Sequence, residues 1–241
     1  MSKCILFIFE GQVTEHDIVK NMQKFYLKPE DDNVFILSSH CGHIYSLYHK
    51  LKSDEDLDVF YLIKDMPANS VLKDIKRKSI SEIYLFFDYD GHAPQATDDK
   101  LQEMLEFFDE ETDNGKLYIS YPMVEALKHI PENTIFEDLV VAAKDNINYK
   151  SLVPKEINHG FNSFKKYDLE KWKELNSLHL MKANKIVYNT YSLPDTNIEP
   201  IEIFENQLKK HITPDNQVSV LSAFPCFLLD YYGCDNIELL L

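Results

Sequence analysis

The sequence predicts an α/β fold, a mostly parallel sheet with helices on both faces, and three observations carry that reading. Short, continuous apolar runs rich in Ile, Leu and Phe alternate with amphipathic stretches through the first 120 residues. That is the pattern of strands buried on both faces and the helices that cover them. Six glycines and ten prolines are too few for a turn-dense all-β sandwich. A length of 241 residues suits one generous domain, or a core with a modest second layer.

Taken in order, Cys4–Phe9 is an unbroken apolar run and reads as a central strand. Ile18, Met22 and Phe25 then fall at helical spacing, with Thr14 as the expected N-cap. Residues 34–37 make a second strand, and Ile44, Leu47, Tyr48 and Leu51 mark a helix over 42–52. Leu57–Ile63 is a third apolar run, read with the strands, and Val71 and Ile75 share a face of a basic helical segment. Ile83–Phe87 is a buried strand ending at Asp88. Leu101, Met104, Leu105 and Phe108 trace the buried stripe of an acidic helix, and residues 117–120 form a further strand. The second half is less regular. Helices are expected over 166–189 and 201–210, while 218–221 and 227–231 are apolar runs of open type.

Hydrophobic residues make up 44% and charged residues 27%, which excludes wholesale disorder. No apolar run approaches the roughly 18 residues of a membrane span, and the N-terminus lacks the layout of a signal peptide. Four widely spaced cysteines (Cys4, Cys41, Cys226, Cys234) fit neither a zinc pattern nor a disulfide scaffold. They read as reduced thiols in a cytoplasm. The net charge of −15 argues at first against a nucleic-acid partner. Its distribution softens that argument. Residues 98–113 hold eight acids, whereas 144–185 carries nine lysines against five acids. A chain that is acidic overall therefore still has a basic stretch.

Ligands of an open parallel sheet bind outside the carboxyl ends of its strands. Two such ends carry acids followed by glycine: Glu10-Gly11, with Thr14-Glu15 opening the next helix, and Asp88-Tyr89-Asp90-Gly91-His92. Any one strand-end acid is most simply a solvated turn residue. Two acid–glycine ends together favour a shared site, because converging carboxylates repel unless a hard divalent cation holds them. His92 would then lie at the site, able to contact phosphate or act as a general acid. His40-Cys41-Gly42-His43 has no matching second pair for zinc and reads as a helix-start cluster. Lys182 and Lys185 lie in the basic helix, where Lys182 is either a solvated helix lysine or a phosphate-contacting one.

Phe9-Glu10-Gly11 with Thr14-Glu15, followed by a strand ending Asp88-Tyr89-Asp90, resembles the TOPRIM domain. The six-residue form Glu-Gly-x-x-Thr-Glu is most similar to the RloB-like and OLD-type defence nucleases. Ser120 to His129 resembles the segment that follows that fold's last strand, where Pro122, Glu125 and His129 match in type and spacing. The likeness covers residues 3–130; the OLD-type ATPase domain is absent, and the second half resembles no named family. The resemblance implies a TOPRIM-like core over 1–130 with a more helical region over 131–241. It implies Glu10, Asp88 and Asp90 as metal ligands and catalytic groups, and Glu15 and Glu125 as ligands of a second ion or carboxylates holding a metal-bound water. The cofactor would be Mg²⁺ or Mn²⁺, with two ions, in phosphodiester hydrolysis of DNA or RNA in anti-phage defence. Lys182 would be catalytic, and His92, His129 and Lys185 would bind substrate. On a helix, His129 falls one turn after Glu125 and points the same way.

Two other readings compete. Phe87-Asp88-Tyr89-Asp90-Gly91 also resembles the first motif of haloacid-dehalogenase-type phosphatases, with Asp88 as nucleophile, but the later acidic pair of that family is missing and Glu10-Gly11 goes unexplained. The third reading is a nucleotide- or protein-binding module without catalysis. A regulatory protein partner and a homo-oligomer are further expectations, since an uncontrolled nuclease harms its host.

Overall fold

The computed structural model describes residues 4–27, 35–54, 56–89 and 97–241, with the backbone alone for 35–40. It has two compact units, Met1–Phe87 with Glu103–Leu117 and Asp88–Gln102 with Tyr118–Leu241. This differs from a single break near residue 130. The segment after Tyr118 groups with the C-terminal half for a clear reason. Tyr121 and Leu221 exchange both backbone hydrogen bonds (2.8 and 2.9 Å), and Tyr89 N–H donates to Ser120 O at 2.9 Å.

The sheet runs in the order β2-β1-β3-β5-β4. Strand β1 (Cys4–Phe9) is buried along its whole length and pairs in parallel on both sides. Leu6 faces Leu37 of β2 (Phe35–His40) and Ile83 of β3 (Ile80–Asp88). Strand β5 (Gly115–Ser120) carries a two-residue antiparallel partner, β4 (Asp109–Glu110). The body of the sheet is therefore mostly parallel, as the continuous apolar runs require. Phe7 and Phe9 contact Phe86 at ring distances of 5.4 and 5.7 Å, tying β1 to β3. Gly115 has φ +101°, and a Cβ there would lie 2.6 Å from Leu85 Cδ1, so any other residue at the start of β5 is strained and displaces its neighbours.

Helix α1 (Thr14–Met22) begins at Thr14 itself; its N-cap is Val13, with no side-chain cap, so Thr14 is not the expected cap. Helix α2 (Ile44–Ser53) buries the expected stripe. The run 57–63 is a helix rather than a strand, α3 (Val59–Lys64). Asp58 decides this: its Oδ1 accepts from Phe60 N–H at 2.7 Å and its Oδ2 pairs with Arg77 Nε at 2.8 Å. The strand ending at Asp88 is thus the third of the sheet. Val71 lies in a 3₁₀ turn (Pro67–Leu72) broken at Asn69, and Ile75 lies outside it. Helix α4 (Asp98–Phe107) buries Leu101, Met104 and Leu105 as expected.

In the second unit a short ladder joins β6 (Val140–Ala142) to β7 (Gln217–Ser219) in antiparallel fashion. Helix α5 (Tyr149–Glu156) is short. Helix α6 (Leu169–Tyr188) starts at Asp168, whose carboxylate accepts from Lys171 N–H, and stops at left-handed Asn189. Trp172, Leu175, Leu180 and Ala183 are fully or almost fully buried on it. Helix α7 (Pro200–Gln207) has a Glu199–Glu202 capping box and continues as a π-helical segment, Leu208–Ile212. The run 227–231 belongs to helix α8 (Ala223–Tyr232), capped by Ser222. His179 is wholly buried in this unit: its Nδ1 accepts from Ser222 N–H and its Nε2–H donates to Leu127 O. Among the described residues no helix is long and apolar enough to cross a membrane.

Candidate functional site

Strands β1 and β3 are adjacent and parallel, with Phe9 opposite Phe86. Glu10 follows Phe9 and Asp88 closes β3, so both acids stand at carboxyl strand ends. In the first unit the turn after β1 is built around Glu15, a carboxylate only 7% exposed. Its Oε1 accepts from Gly11 N–H at 3.2 Å. A Cβ on residue 11 would sit 2.5 and 2.7 Å from the two Glu15 oxygens, so glycine is what lets this carboxylate lie against the turn. Strand β2 delivers a further group. With His40 opposite Phe9, the segment after β2 leaves beside the Glu10 turn, and Cys41 N–H donates to Phe9 O at 2.9 Å. His43 Nδ1 then lies 3.4 Å from Glu10 Oε1. Burial, and secondarily the Glu10 charge, push the Cys41 thiol up to about 12, so it is no nucleophile.

In the second unit Asp88 Oδ1 accepts from Val124 N–H at 2.8 Å, holding the first residue of a 3₁₀ turn, Val124–Lys128. The next residue, Glu125, is 7% exposed, and its Oε2 has no hydrogen-bond partner among the described residues. Tyr149, on the first turn of α5, is raised well above the usual phenol value, first by burial and then by the charges of Glu125, Glu156 and Asp88. Its hydroxyl is therefore a donor, not a base. His129 is fully buried, 2.9 Å from Tyr149 Oη through Nδ1 and 3.1 Å from Glu156 Oε2 through Nε2. The Glu156 carboxylate needs a donor, so Nε2 carries the hydrogen and Nδ1 accepts from Tyr149 O–H. Burial lowers the His129 pKa, opposed by Glu156, which keeps this neutral tautomer. A cavity of about 190 Å³ adjoins these residues, lined by Tyr89, Pro122, Met123, Asn148, Tyr149 and Lys150 among others.

Several sequence expectations change in this light. Asp90 and His92 lie outside the described residues. His129 does not share a helical face with Glu125: the segment is a 3₁₀ turn, His129 is its C-cap, and its ring is committed to Tyr149 and Glu156. Lys182 is not a solvated helix lysine. It is fully buried, donating to Phe136 O and Leu139 O at 2.7 Å each, and burial drives its pKa well down. Lys185 Nζ is held by Glu137 and Asp138 at 2.7 Å each. The helix-start reading of the His40–His43 cluster agrees with His43 being the residue that precedes α2, though its side chain makes no capping bond. Its approach to Glu10 was legible only if β2 had been placed beside β1. Tyr149 and Glu156 were missed because residues 149–156 carry no strong helical signal.

Among the described residues no three His, Cys, Asp or Glu side chains form a ready cation cage. The chemistry of the donors nevertheless suits a hard divalent ion. All are carboxylates, and Glu125 presents a buried oxygen that no protein hydrogen satisfies. Compared with known proteins, the chain matches no protein-family model, no curated protein and no solved structure.

Proposed function

We propose that the chain is a divalent-metal-dependent phosphodiesterase, a nuclease of the TOPRIM type acting on DNA or RNA. What supports this reading is, in the first unit, the buried Glu15 carboxylate held against the Glu10-Gly11 turn after β1 and, in the second, Asp88 at the end of β3 and a buried Glu125 carboxylate oxygen without a hydrogen-bond partner. A buried, unsatisfied carboxylate is expensive and persists where a cation offsets it. The TOPRIM resemblance assigns Glu10, Asp88 and Asp90 to Mg²⁺ or Mn²⁺, and Glu15 and Glu125 to a second ion or to its bound water. Bound metal supplies Lewis-acid activation of water and charge neutralisation at the phosphate.

The protein's own groups do the rest. Gly11 fixes the Glu15 carboxylate against the β1 turn, and the Val124 N–H fixes Asp88. The chain Glu156–His129–Tyr149 orients a neutral phenol O–H beside the carboxylates that raise its pKa. Tyr149, its O–H given to His129 Nδ1, stays protonated through the neutral range. Lys182 and Lys185 take no part in this mechanism, because their ammonium groups are engaged by carbonyls and carboxylates of their own unit.

The test is incubation of purified protein with plasmid, single-stranded DNA and tRNA in Mn²⁺, Mg²⁺ or EDTA, beside Glu10→Gln and Asp88→Asn. Metal-dependent cleavage that both variants abolish supports the reading. If Asp88→Asn abolishes p-nitrophenyl phosphate hydrolysis while Glu10→Gln is harmless, the activity is a phosphatase's instead.

A further inference from the structure

A second cavity, of about 210 Å³, lies within the unit Asp88–Gln102 with Tyr118–Leu241, and shares no lining residue with the first. Lys182, Lys185, Lys210, His211, Glu137 and Asp138 supply its charged wall, and Ser219 a hydroxyl. Helix α6 contributes the first two lysines, the π-helical segment Leu208–Ile212 contributes Lys210 and His211, and β7 contributes Ser219. Three ammonium groups against two carboxylates reverse the local sign in a chain whose net charge is −15.

Counting hydrogen-bond donors shows what the cavity lacks. An ammonium has three N–H donors. Lys210 spends all three, on Ile186 O, Val187 O and Asn189 Oδ1, and so caps the end of α6. Lys182 spends two, on Phe136 O and Leu139 O, with its Nζ 4.4 Å from the Phe136 ring centroid. Lys185 spends two, on Glu137 and Asp138. Lys185 therefore has one N–H beyond those two bonds, and the His211 ring and the Ser219 hydroxyl line the same cavity. Lys185, His211 and Ser219 bring donor groups to a cavity too small for a whole drug-sized ligand, which takes roughly 300 Å³ or more. Such donors in a wall with more lysines than carboxylates complement an oxyanion. The π-helical turn fits the same picture, since such widened turns recur at binding sites. Burial first, and neighbouring lysines second, lower the pKa values of Lys182 and His211.

We propose that this cavity binds a phosphate-class oxyanion, either inorganic phosphate or the phosphoryl group of a nucleoside monophosphate. The proposal does not rest on the phosphodiesterase reading, and its test separates the two. Calorimetric titration of the full chain with inorganic phosphate and with adenosine monophosphate is done in EDTA, where no metal-dependent turnover occurs. Saturable binding is expected, weakened about tenfold by Lys185→Gln and by His211→Ala, and tightened about threefold or more by Glu137→Gln, which removes a competing carboxylate. Opposite signs from neighbouring substitutions cannot come from loss of folding, and circular dichroism of each variant checks it. Equal affinity for the two probes identifies free phosphate as sufficient; tighter adenosine monophosphate binding identifies the nucleotide. Wild-type affinity weaker than about 10 mM for both probes overturns the proposal. So does binding that all three variants leave unchanged, which would mean an adventitious ion only.

Discussion

Replacing Glu125 by Gln should make the protein more stable and, on the proposed mechanism, less active. The carboxylate is 7% exposed, its Oε2 has no protein donor, and the charges of Asp88 and Glu156 act on the same neighbour, Tyr149. Replacing a buried carboxylate that has one oxygen without a donor by a neutral amide removes a costly buried charge; the gain is about 1–2 kcal/mol at pH 7. For a chain of this size each kcal/mol raises Tm by about 2–4 °C. The assay is thermal and urea unfolding of both proteins in EDTA, repeated with about 10 mM Mg²⁺. A cation bound by the wild type with a Kd of about 0.1–1 mM adds about 1.4–2.7 kcal/mol at that concentration. Magnesium should therefore erase or reverse the advantage of the variant. A destabilised Glu125→Gln in EDTA, or a difference indifferent to Mg²⁺, would refute the argument that this carboxylate awaits a cation.

Other expectations follow from the same geometry. Gly11→Ala places a Cβ 2.5 Å from a Glu15 oxygen, at the end of a flexible side chain, so stability should fall by under about 1 kcal/mol. Metal-dependent cleavage should fall far more, as kinetics beside urea unfolding would show. Gly115→Ala meets Leu85 and Ile83 side chains under 3 Å away at a φ of +101°, and should cost about 2–4 kcal/mol by urea unfolding. His179, wholly buried and neutral, has its pKa lowered to about 3 by burial, against about 6.5 in the unfolded chain. The unfolded state therefore binds the extra proton first. The contribution of His179 is complete above pH 6.5 and is lost as pH falls toward 3, at up to about 1.4 kcal/mol per pH unit. Urea unfolding between pH 7 and 4.5 should show that slope, and His179→Gln should flatten it.

The sheet was legible because its strands are buried on both faces and so carry unbroken apolar runs, from Cys4–Phe9 to Leu117–Ser120. Length of apolar run alone misled at Val59–Lys64, where one aspartate at 58 caps a helix through a bond that composition does not reveal. In the second half, β7 and α8 could not be typed because β7 is only three residues long and α8 is buried from Ala223 to Leu229, which erases periodicity. Glu10 and Asp88 were readable as candidates since strand ends and glycines mark them. His43 and Tyr149 were not, because their approach to those acids is set by strand order and by a helix whose sequence is only weakly amphipathic. Lys182 shows the opposite failure: a lysine in a basic stretch looked solvated, yet the carbonyls that bury it come from residues 136 and 139, more than 40 positions away.

The central claim is that carboxylates at the ends of β1 and β3 hold a divalent cation. Its most direct test is Mn²⁺ binding to the purified chain, followed by electron paramagnetic resonance as loss of the free-ion signal. The wild type should bind Mn²⁺ in the micromolar to millimolar range, with Glu10→Gln and Asp88→Asn each weakening it about tenfold or more and Lys185→Gln leaving it unchanged. Binding that is absent in the wild type, or equal in the wild type and both carboxylate variants, would contradict the account.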